Sequence, residues 1–314
     1  MARVLLTGAT SFTGVWIAQA LADAGHEVIA PLHRPEGDYA GLRRDRVERL
    51  KSVAEVAFDS SFGSPAFLDL LQGARPEILA HHAADIPGYR NADYDVAAGV
   101  TRNLTGAGIV FEAAAAAGVR GVIATGTGFE DAAEGGLAVS PYGLSKKLTN
   151  DGFRHLALWR GLAFGRFMIN GPFGPLEEGR LVWSLFQAWF AGKSGVVRTP
   201  AYVRDNIPVV LLARAYGGLV DEMMADPTLD QVCRPAGYVS TQGEFALRVA
   251  REAAARLGRD CPVDCPEQTV FTEPRVVAND EPTLDKPWDE AGFWDAYVDY
   301  YREVARRGLL GAPA

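Results

Sequence analysis

Strand-like and helix-like segments alternate through residues 1–170, and this alternation limits the possible folds more than any other feature. The strand-like segments are "RVLLTG", "HEVIAPLHR", "VAEVAF", "EILAHHAA", "VRGVIATGT" and "LAFGRFMIN". Helical apolar spacing marks "FTGVWIAQALADAG", "PAFLDLLQG", a long helix ending in "VFEAAAAAG", and "YGLSKKLTNDGFRHLALWRG". Such crossovers return over a sheet in the right-handed sense and cover both of its faces. The sequence therefore predicts an α/β fold with a Rossmann-type, doubly wound parallel sheet.

The first strand-to-helix turn, "TGATSFTG" at residues 7–14, is a candidate phosphate cradle. It contains Gly8 and Gly14, but Ser11 stands where dinucleotide-binding turns usually have a middle glycine. Alone, the stretch is equally compatible with an ordinary glycine-containing turn. Its place beside the expected switch point of the sheet favours a dinucleotide site. A serine there either crowds the phosphates or donates a hydrogen bond to one of them.

Beyond residue 170 the alternation loosens, and "NGPFGP" introduces glycines and prolines. Helices are predicted near "RLVWSLFQAWFAGK", "VVLLARAYGGLVDEMM", "TQGEFALRVAREAAARLG" and "WDEAGFWDAYVDYYREVARR". We expect residues 1–171 to form the dinucleotide-binding domain, with 204–236 returning to it. Residues 172–203 and 237–314 would form a smaller, discontinuous substrate lobe. An aromatic stripe in the last helix is interpreted as helix packing, and it comprises Phe293, Trp294, Tyr297 and Tyr301.

Composition excludes several classes of function. The chain has 314 residues, 48% of them apolar, and a net charge of −8, which disfavours a general nucleic-acid surface. No segment has the apolar length of a membrane span or a secretory signal, so we expect a cytoplasmic protein without a membrane partner. Cys233, Cys261 and Cys265 are too few for a disulfide framework. No histidine lies near "CPVDC", so these two cysteines are not expected to bind a metal. His81 and His82 are interpreted as packing residues at a strand end, so no metal is predicted.

The segment "YGLSK" places Tyr142 and Lys146 four residues apart, on one face of the predicted helix. A free tyrosine has a pKa of about 10, so it exchanges protons poorly near neutrality. A fixed ammonium beside it stabilises the phenolate and makes it a usable acid and base. The preceding strand ends in "ATGTG", which offers Thr125 and Thr127 to orient a substrate oxygen. Thr127 is the better candidate.

At these residues the chain resembles the extended short-chain dehydrogenase/reductase family. The resemblance covers about the first 240 residues and rests on "TGATSFTG", "FDSS", "PEILAHHAA", "NLTGAGIVFEAA", "VIATGT", "PYGLSKK", "RFMINGPFGP" and "VRDNIPVVLLARA", in the family's order. It implies a nicotinamide-dependent enzyme that acts on a nucleotide-linked sugar. The family often pairs through the helix that carries the catalytic tyrosine, so a homodimer is expected.

The resemblance also implies roles for individual residues. Gly8, Ser11 and Gly14 would form the pyrophosphate turn, with the amides of Phe12 and Thr13 directed at the phosphates. Asp59 matches the acidic residue that contacts adenine, and Ala83 and Ala84 match the segment beside the ribose. Asn103 matches the asparagine that supports the catalytic lysine through ordered water. The catalytic group is then Asn103, Thr127, Tyr142 and Lys146. Taken singly, such residues are more often structural than functional: Asp59 would be a turn cap, Asn103 a surface helix residue and Thr127 a strand-end residue. Their joint order in the chain favours the functional roles.

The end of the second strand bears on the choice of nicotinamide cofactor. NAD-preferring sites usually have a carboxylate there to bind the ribose diol, but this chain has Leu32 followed by His33 and Arg34. Arg34 is suited to pair with a 2′-phosphate. The sequence thus favours NADP, with NAD as the alternative and a solvated loop arginine as the ordinary explanation of Arg34.

Substrate residues are implied by two later motifs. "RFMINGPFGP" points to Asn170, and "VRDNIPV" resembles the segment whose arginine holds a substrate phosphate, here Arg204. Arg275 in "EPRVV" is a second, looser match. The alternative for Arg204 is an ion pair with Asp205.

The reaction type is less constrained. Dehydratases of the family usually follow the catalytic threonine with an Asp-Glu pair, but Gly128 and Phe129 displace Glu130 and Asp131 here, which disfavours dehydration. Reduction of a keto-sugar nucleotide is slightly preferred over 4-epimerisation with tightly bound NAD. A small non-nucleotide carbonyl or alcohol substrate also stays open, as does a non-catalytic dinucleotide sensor or scaffold.

Overall fold

The computed structural model describes residues 1–89, 91–132 and 136–311. The chain divides into two compact units, Met1–Ile169 with Val210–Pro235, and Asn170–Val209 with Ala236–Ala314. This division differs from the expected one for residues 170–171, 204–209 and 236, which lie in the second unit rather than in the first. The longest of these segments is 204–209. The physical reason is strand pairing, because that segment pairs on both sides with strands of the second unit.

The first unit is built on a seven-stranded sheet whose neighbouring strands are all parallel. Its strands are β1 (Arg3–Thr7), β2 (Glu27–Pro31), β3 (Glu55–Ala57), β4 (Ile78–His81), β5 (Gly121–Thr127), β6 (Ala163–Ile169) and β10 (Asp230–Cys233). Their order is β10-β6-β5-β4-β1-β2-β3. The order reverses direction between β1 and β4, so the turn after β1 lies at the switch point of a doubly wound sheet. The predicted fold class is confirmed.

Helices cover both faces of this sheet. They are α1 (Phe12–Asp23), α2 (Gly41–Lys51), α3 (Pro65–Ala74), α4 (Val96–Leu104), α5 (Ala107–Ala117), α6 (Pro141–Trp159) and α8 (Val209–Ala225), with a short 3-10 helix at Glu36–Asp38. On one face, Phe67, Phe111 and Phe153 from α3, α5 and α6 join one buried apolar cluster with Leu5 and Val122 of the sheet. Elsewhere α8 places the Tyr216 ring 4.8 Å from that of Phe167 in β6. The apolar spacing seen in the sequence is thus used to bury the sheet.

Two helical features differ from the sequence predictions. The expected long helix before β5 is divided into α4 and α5, because Gly106 between them adopts a left-handed conformation with φ of 78°. Helix α2 was not predicted, since its sequence "GLRRDRVERLK" is mostly charged. It nevertheless buries Leu42, Val47 and Leu50.

The second unit contains α7 (Leu181–Phe190), α9 (Gln242–Leu257) and α10 (Glu290–Arg306). The remaining strands are β7 (Gly171–Phe173), β8 (Gly195–Val196), β9 (Val203–Pro208), β11 (Pro235–Ala236), β12 (Tyr238–Thr241), β13 (Val263–Asp264), β14 (Val276–Val277) and β15 (Glu281–Pro282). Strand β9 pairs with β7, β12 and β14. The aromatic stripe of α10 is buried and surrounds Phe173 and Phe186, as the packing interpretation predicts.

Three negative findings apply to the described residues. None of their helices is both long enough and apolar enough to cross a bilayer. No group of histidine, cysteine, aspartate and glutamate among them is arranged to hold a metal ion. Cys233, Cys261 and Cys265 form no disulfide with one another.

Candidate active site

The turn after β1 requires glycine at both of its glycine positions. Gly8 has φ of +69°, and a Cβ there would lie 2.7 Å from the backbone nitrogen of Ala83. A Cβ on Gly14 would lie 2.3 Å from the Gly8 carbonyl oxygen. Both distances are shorter than non-bonded atoms tolerate. The sequence thus folds this segment into a tight turn against the residues that follow β4, and Ala83 lies beside Gly8. The predicted role of Ala83 beside the ribose stays a prediction.

Ser11 is the N-cap of α1. Its Oγ accepts a hydrogen bond of 3.0 Å from the backbone amide of Gly14. The first turn of a helix has amides with no intrahelical acceptor, and Phe12 and Thr13 occupy that turn. A helix start with such amides favours an anionic ligand. The geometry therefore fits the diphosphate of a dinucleotide.

The residues after β2 and β3 form the other part of the candidate cofactor site. Leu32 is buried and continues the pairing with β3, whereas His33 and Arg34 are exposed. Arg34 Nε donates to His33 Nε2 at 3.1 Å. Partial desolvation of the imidazole ring and the charges of Arg34 and Arg43 lower the pKa of His33. Two cations, Arg34 and Arg43, thus stand near the position where an NAD-preferring site has an acid.

Asp59 follows β3 in a left-handed conformation with φ of 55°. Its backbone amide donates to the Arg34 carbonyl oxygen at 3.3 Å. The fold therefore brings Asp59 next to Arg34, although they are 25 positions apart in the sequence. Ala84 lies exposed beyond Ala83.

His82 makes polar contacts that the packing interpretation did not foresee. Its Nδ1 lies 2.8 Å from Thr125 Oγ1, and its Nε2 lies 2.8 Å from Thr13 Oγ1 and 3.1 Å from Ser11 Oγ. Burial and the charge of Lys146 lower its pKa to about 4, so the ring is neutral near pH 7. The packing prediction is wrong for His82, because hydroxyl groups from two other segments surround its ring.

His81, in contrast, is a packing residue as predicted. Its ring contacts those of Phe62 and Phe153 at centroid distances of 4.3 and 5.0 Å. Burial lowers its pKa to about 3, and its Nδ1 lies 3.1 Å from Thr7 Oγ1.

Three of the four expected catalytic residues, Thr127, Tyr142 and Lys146, lie on β5 and on the first two turns of α6, and the fourth, Asn103, lies on α4. Helix α6 has Ser140 as its N-cap and begins at Pro141. Tyr142 and Lys146 are four residues apart in this helix, so they lie on the same face, one turn apart. A Cβ on Gly143 would lie 2.2 Å from the Phe129 carbonyl oxygen. This close approach holds the start of α6 against the turn that follows Thr127.

Lys146 and Tyr142 occupy different environments. Lys146 is buried, with 7% of its surface exposed. Burial lowers its pKa, while the nearby carboxylate of Glu130 opposes that change. The Tyr142 ring packs against the rings of Tyr89 and Tyr94 at 5.1 and 6.2 Å. The helix thus carries a buried ammonium one turn beyond a phenol that lies among aromatic rings.

Glu130 is the site residue that sequence reasoning missed. One carboxylate oxygen accepts hydrogen bonds of 2.9 Å from the Thr127 amide and from Asn150 Nδ2, and the other lies 3.6 Å from Arg166 Nη1. Glu130 is 1% exposed, and burial raises its pKa while Lys146 opposes the rise. This buried acid is held on the backbone behind Thr127. The sequence "TGFE" offered one signal, because a glutamate three residues after a strand-end threonine can accept a hydrogen bond from the threonine amide.

Asn103 holds the loop between β4 and α4. Its Oδ1 accepts from the Asp85 amide at 2.8 Å, and its Nδ2 donates to the carbonyl oxygens of Asp85 and Gly99 at 2.9 Å. The amide is therefore engaged with backbone of this loop. Its expected support of Lys146 through water stays a prediction.

Of the predicted substrate residues, Thr127 lies in the first unit, and Asn170, Arg204 and Arg275 lie in the second. Arg204 pairs with Glu273 at 2.9 Å and donates to the Pro274 and Arg275 carbonyl oxygens. The alternative interpretation, an ion pair of Arg204 with Asp205, is wrong. The Asp205 carboxylate is buried and accepts a hydrogen bond of 2.6 Å from the Gly237 amide. Burial raises the pKa of Asp205 to about 6, and Asn170 adjoins it.

Arg275 immediately precedes β14, which pairs with β9 beside Arg204. Its guanidinium stacks on the Phe271 ring at 4.0 Å. The fold thus brings the two predicted arginines together on neighbouring strands.

Comparisons with known proteins agree with this fold. The family model described as "NAD dependent epimerase/dehydratase family" matches residues 4–191. No curated protein sequence matches the chain.

Three solved structures illustrate the likeness. A UDP-glucuronic acid 4-epimerase from Bacillus cereus, in complex with UDP-glucuronic acid and NAD, has a TM-score of 0.73 and 18% identity over 96% of this chain and 99% of its own. A UDP-glucose 4-epimerase from Thermotoga maritima with UDP-glucose has a TM-score of 0.71 and 19% identity over 96% and 99%. DesIV, a dTDP-glucose 4,6-dehydratase from Streptomyces venezuelae with NAD, has a TM-score of 0.72 and 18% identity over 98% of both chains.

Proposed function

Because this chain belongs to the NAD dependent epimerase/dehydratase family, we propose that it oxidises or reduces a carbinol or carbonyl carbon of a nucleotide-linked sugar. The observation that carries the proposal is the buried Lys146 ammonium one helical turn beyond Tyr142, in the unit that also contains the glycine turn at the switch point. A phenol with a fixed ammonium beside it serves as an acid and base near neutral pH.

The residues of the first unit divide the chemistry among them. Tyr142 gives a proton to the substrate oxygen or takes one from it, and the Lys146 ammonium stabilises the phenolate that results. The Thr127 hydroxyl orients the same oxygen. The turn from Gly8 to Gly14 holds the diphosphate of a nicotinamide dinucleotide, which supplies or accepts the hydride when bound.

The identity of the dinucleotide is proposed from charge. Arg34 and Arg43 both lie close enough to His33 for their charges to lower its pKa, and two such guanidinium groups attract the 2′-phosphate of NADP. NADP suits a reductase, which exchanges its cofactor in each cycle. Reduction of a keto-sugar nucleotide is therefore the preferred reaction.

A second candidate is epimerisation with NAD that stays bound. It is favoured by the epimerases of the same fold, among them one solved with UDP-glucuronic acid and NAD. In that reaction the substrate is oxidised and then receives the hydride on the opposite face. Dehydration is less well supported, because Glu130 is buried and bonded to Thr127 backbone and to Asn150.

Arg204 and Arg275 are proposed to bind the diphosphate of the nucleotide sugar, with Asn170 nearby in the same unit. Arg204 must then exchange its Glu273 partner for phosphate. A guanidinium is suited to this exchange because it presents paired donors to either anion.

The test is to identify the nucleotide released from purified protein by mass spectrometry and to assay turnover of keto-sugar nucleotides and UDP-sugars. A reductase should release NADP or nothing and should consume NADPH with a keto-sugar nucleotide. Stoichiometric NAD with redox-neutral conversion of a UDP-sugar would instead support the epimerase. Failure to bind either dinucleotide would contradict the proposed function.

A further inference from the structure

His82 connects the dinucleotide turn to the two central strands that lie beside it. The residue follows β4, while its hydrogen-bonding neighbours come from the turn after β1 and from β5. We propose that His82 is a positioning residue that fixes the Ser11 side chain. By fixing it, His82 makes serine acceptable at a position where such turns usually have glycine. This inference rests on the proposed dinucleotide binding.

The hydrogen-bonding capacity of the groups supports one arrangement. Ser11 Oγ accepts from the Gly14 amide, so the hydroxyl proton is available for a bond to His82 Nε2. Thr13 Oγ1 also lies within hydrogen-bonding distance of that nitrogen. A neutral ring that accepts at Nε2 carries its proton on Nδ1, where it donates to Thr125 Oγ1. Nε2 carries a single lone pair, so the hydroxyl groups of Ser11 and Thr13 share it as donors, while Nδ1 donates to Thr125.

These contacts decide where the Ser11 hydroxyl points. A serine side chain has three staggered rotamers, and a free hydroxyl samples more than one of them. Here the amide of Gly14 and the ring of His82 hold Oγ at 3.0 and 3.1 Å. The hydroxyl is therefore held by two protein partners, Gly14 within the turn and His82 after β4. An apolar residue at position 82 leaves only the Gly14 amide to hold it, and other rotamers compete with the phosphates for space.

A double-mutant cycle tests the coupling. The probes are NAD and NADP, and the measurement is the dissociation constant of each by calorimetry for the unaltered protein, Ser11→Gly, His82→Leu and the double variant. We expect His82→Leu to weaken binding of the preferred dinucleotide about tenfold when Ser11 is present and less than about twofold in the Ser11→Gly background. Thr13 and Thr125 lose the same partner in both backgrounds, so their contribution cancels.

Two further variants keep the result interpretable if His82→Leu folds poorly. His82→Gln retains an acceptor for Ser11, and we expect it to recover most of the affinity. His155→Leu, at an exposed histidine of α6, should leave the affinity unchanged. Thermal unfolding of every variant measures any general loss of stability.

Equal loss of affinity from His82→Leu in both backgrounds would overturn the inference, because His82 would then act without Ser11. Failure of His82→Gln to bind better than His82→Leu would also contradict it. If the unaltered protein binds neither dinucleotide, the proposed function fails and takes this inference with it, so the two failures are distinguishable.

Discussion

At the residue scale, Glu130 provides a test of the electrostatics around Lys146. Its carboxylate opposes the fall in the pKa of Lys146 that burial causes. Glu130→Gln keeps an oxygen for the Thr127 amide but removes the charge, so the pKa of Lys146 should fall further. The ammonium is then lost at lower pH, and the alkaline limb of the pH profile of kcat/KM should move down by about one pH unit.

The matched control for that experiment is Asp131→Asn. Asp131 is the next residue, but its carboxylate pairs with Arg234 at 2.7 Å. The alkaline limb should stay in place in this variant. An unmoved limb in Glu130→Gln would show that Glu130 does not act on Lys146.

The catalytic pair and the residues around it differ in how far the sequence predicts them. Tyr142 and Lys146 lie on adjacent turns of one helix, so their spacing alone indicates a shared face. Glu130 and His82 have partners on distant segments, including Arg166 and Ser11. The bond from Glu130 to the Thr127 amide is local, but no local pattern encodes the contacts with Arg166 and Ser11, which form only once the strands are assembled.

At the element scale, Glu177 fastens the segment after β7 to α10. Its carboxylate accepts hydrogen bonds from the hydroxyl groups of Tyr297 and Tyr301. Burial raises its pKa from 4.5 to about 7, although both phenols oppose the rise. The folded state therefore favours the protonated acid. The stability that this gives is fully present below pH 4.5 and is lost as the pH rises through about 7.

Glu177→Gln should remove this pH dependence, because the amide stays neutral. At pH 8 the variant should be more stable than the unaltered protein by on the order of 3 kcal/mol, measured by denaturant unfolding. Glu178→Gln, at the exposed neighbouring residue, should leave the dependence intact. Equal curves for Glu177→Gln and the unaltered protein between pH 5 and 8 would contradict the assignment.

Elements with a clear apolar period are predictable from the sequence, and those without one are not. Helices α6 and α9 were found near their observed ends, since apolar residues recur on one face and caps mark their starts. The break at Gly106 depends on one residue in a left-handed conformation. Helix α2 escapes detection because arginines and acids fill most of its positions.

At the scale of the whole molecule, α6 exposes apolar side chains that a pairing surface would cover. Leu144 and Leu148 are 40% and 45% exposed, one helical turn apart. We expect the unaltered protein to be a dimer by light scattering and Leu144→Lys with Leu148→Lys to be monomeric, because two ammonium groups oppose burial of that face.

The control for this prediction is Leu247→Lys on α9, which is 46% exposed and lies in the other unit. It should leave the mass unchanged. A monomeric unaltered protein, or a double variant that stays dimeric, would contradict pairing through α6.

The architecture of the first unit follows from the alternation of strands and helices, which is why its parallel sheet was predicted correctly. The segment 204–209 was assigned to the wrong unit, because β9 is a single strand whose partners β7 and β12 lie on either side of it in sequence. Strand pairing between distant segments has no periodic signal. The chemistry proposed for the chain therefore rests on the first unit, where sequence and fold agree.

The most direct measurement compares Tyr142→Phe with the unaltered protein in dinucleotide binding and in turnover. The account predicts an unchanged dissociation constant and a fall in kcat of at least about a hundredfold, because the ring remains and only the proton-exchanging hydroxyl is lost. Tyr89→Phe, on the ring that packs against Tyr142, should retain activity. Turnover by Tyr142→Phe equal to that of the unaltered protein would contradict the account.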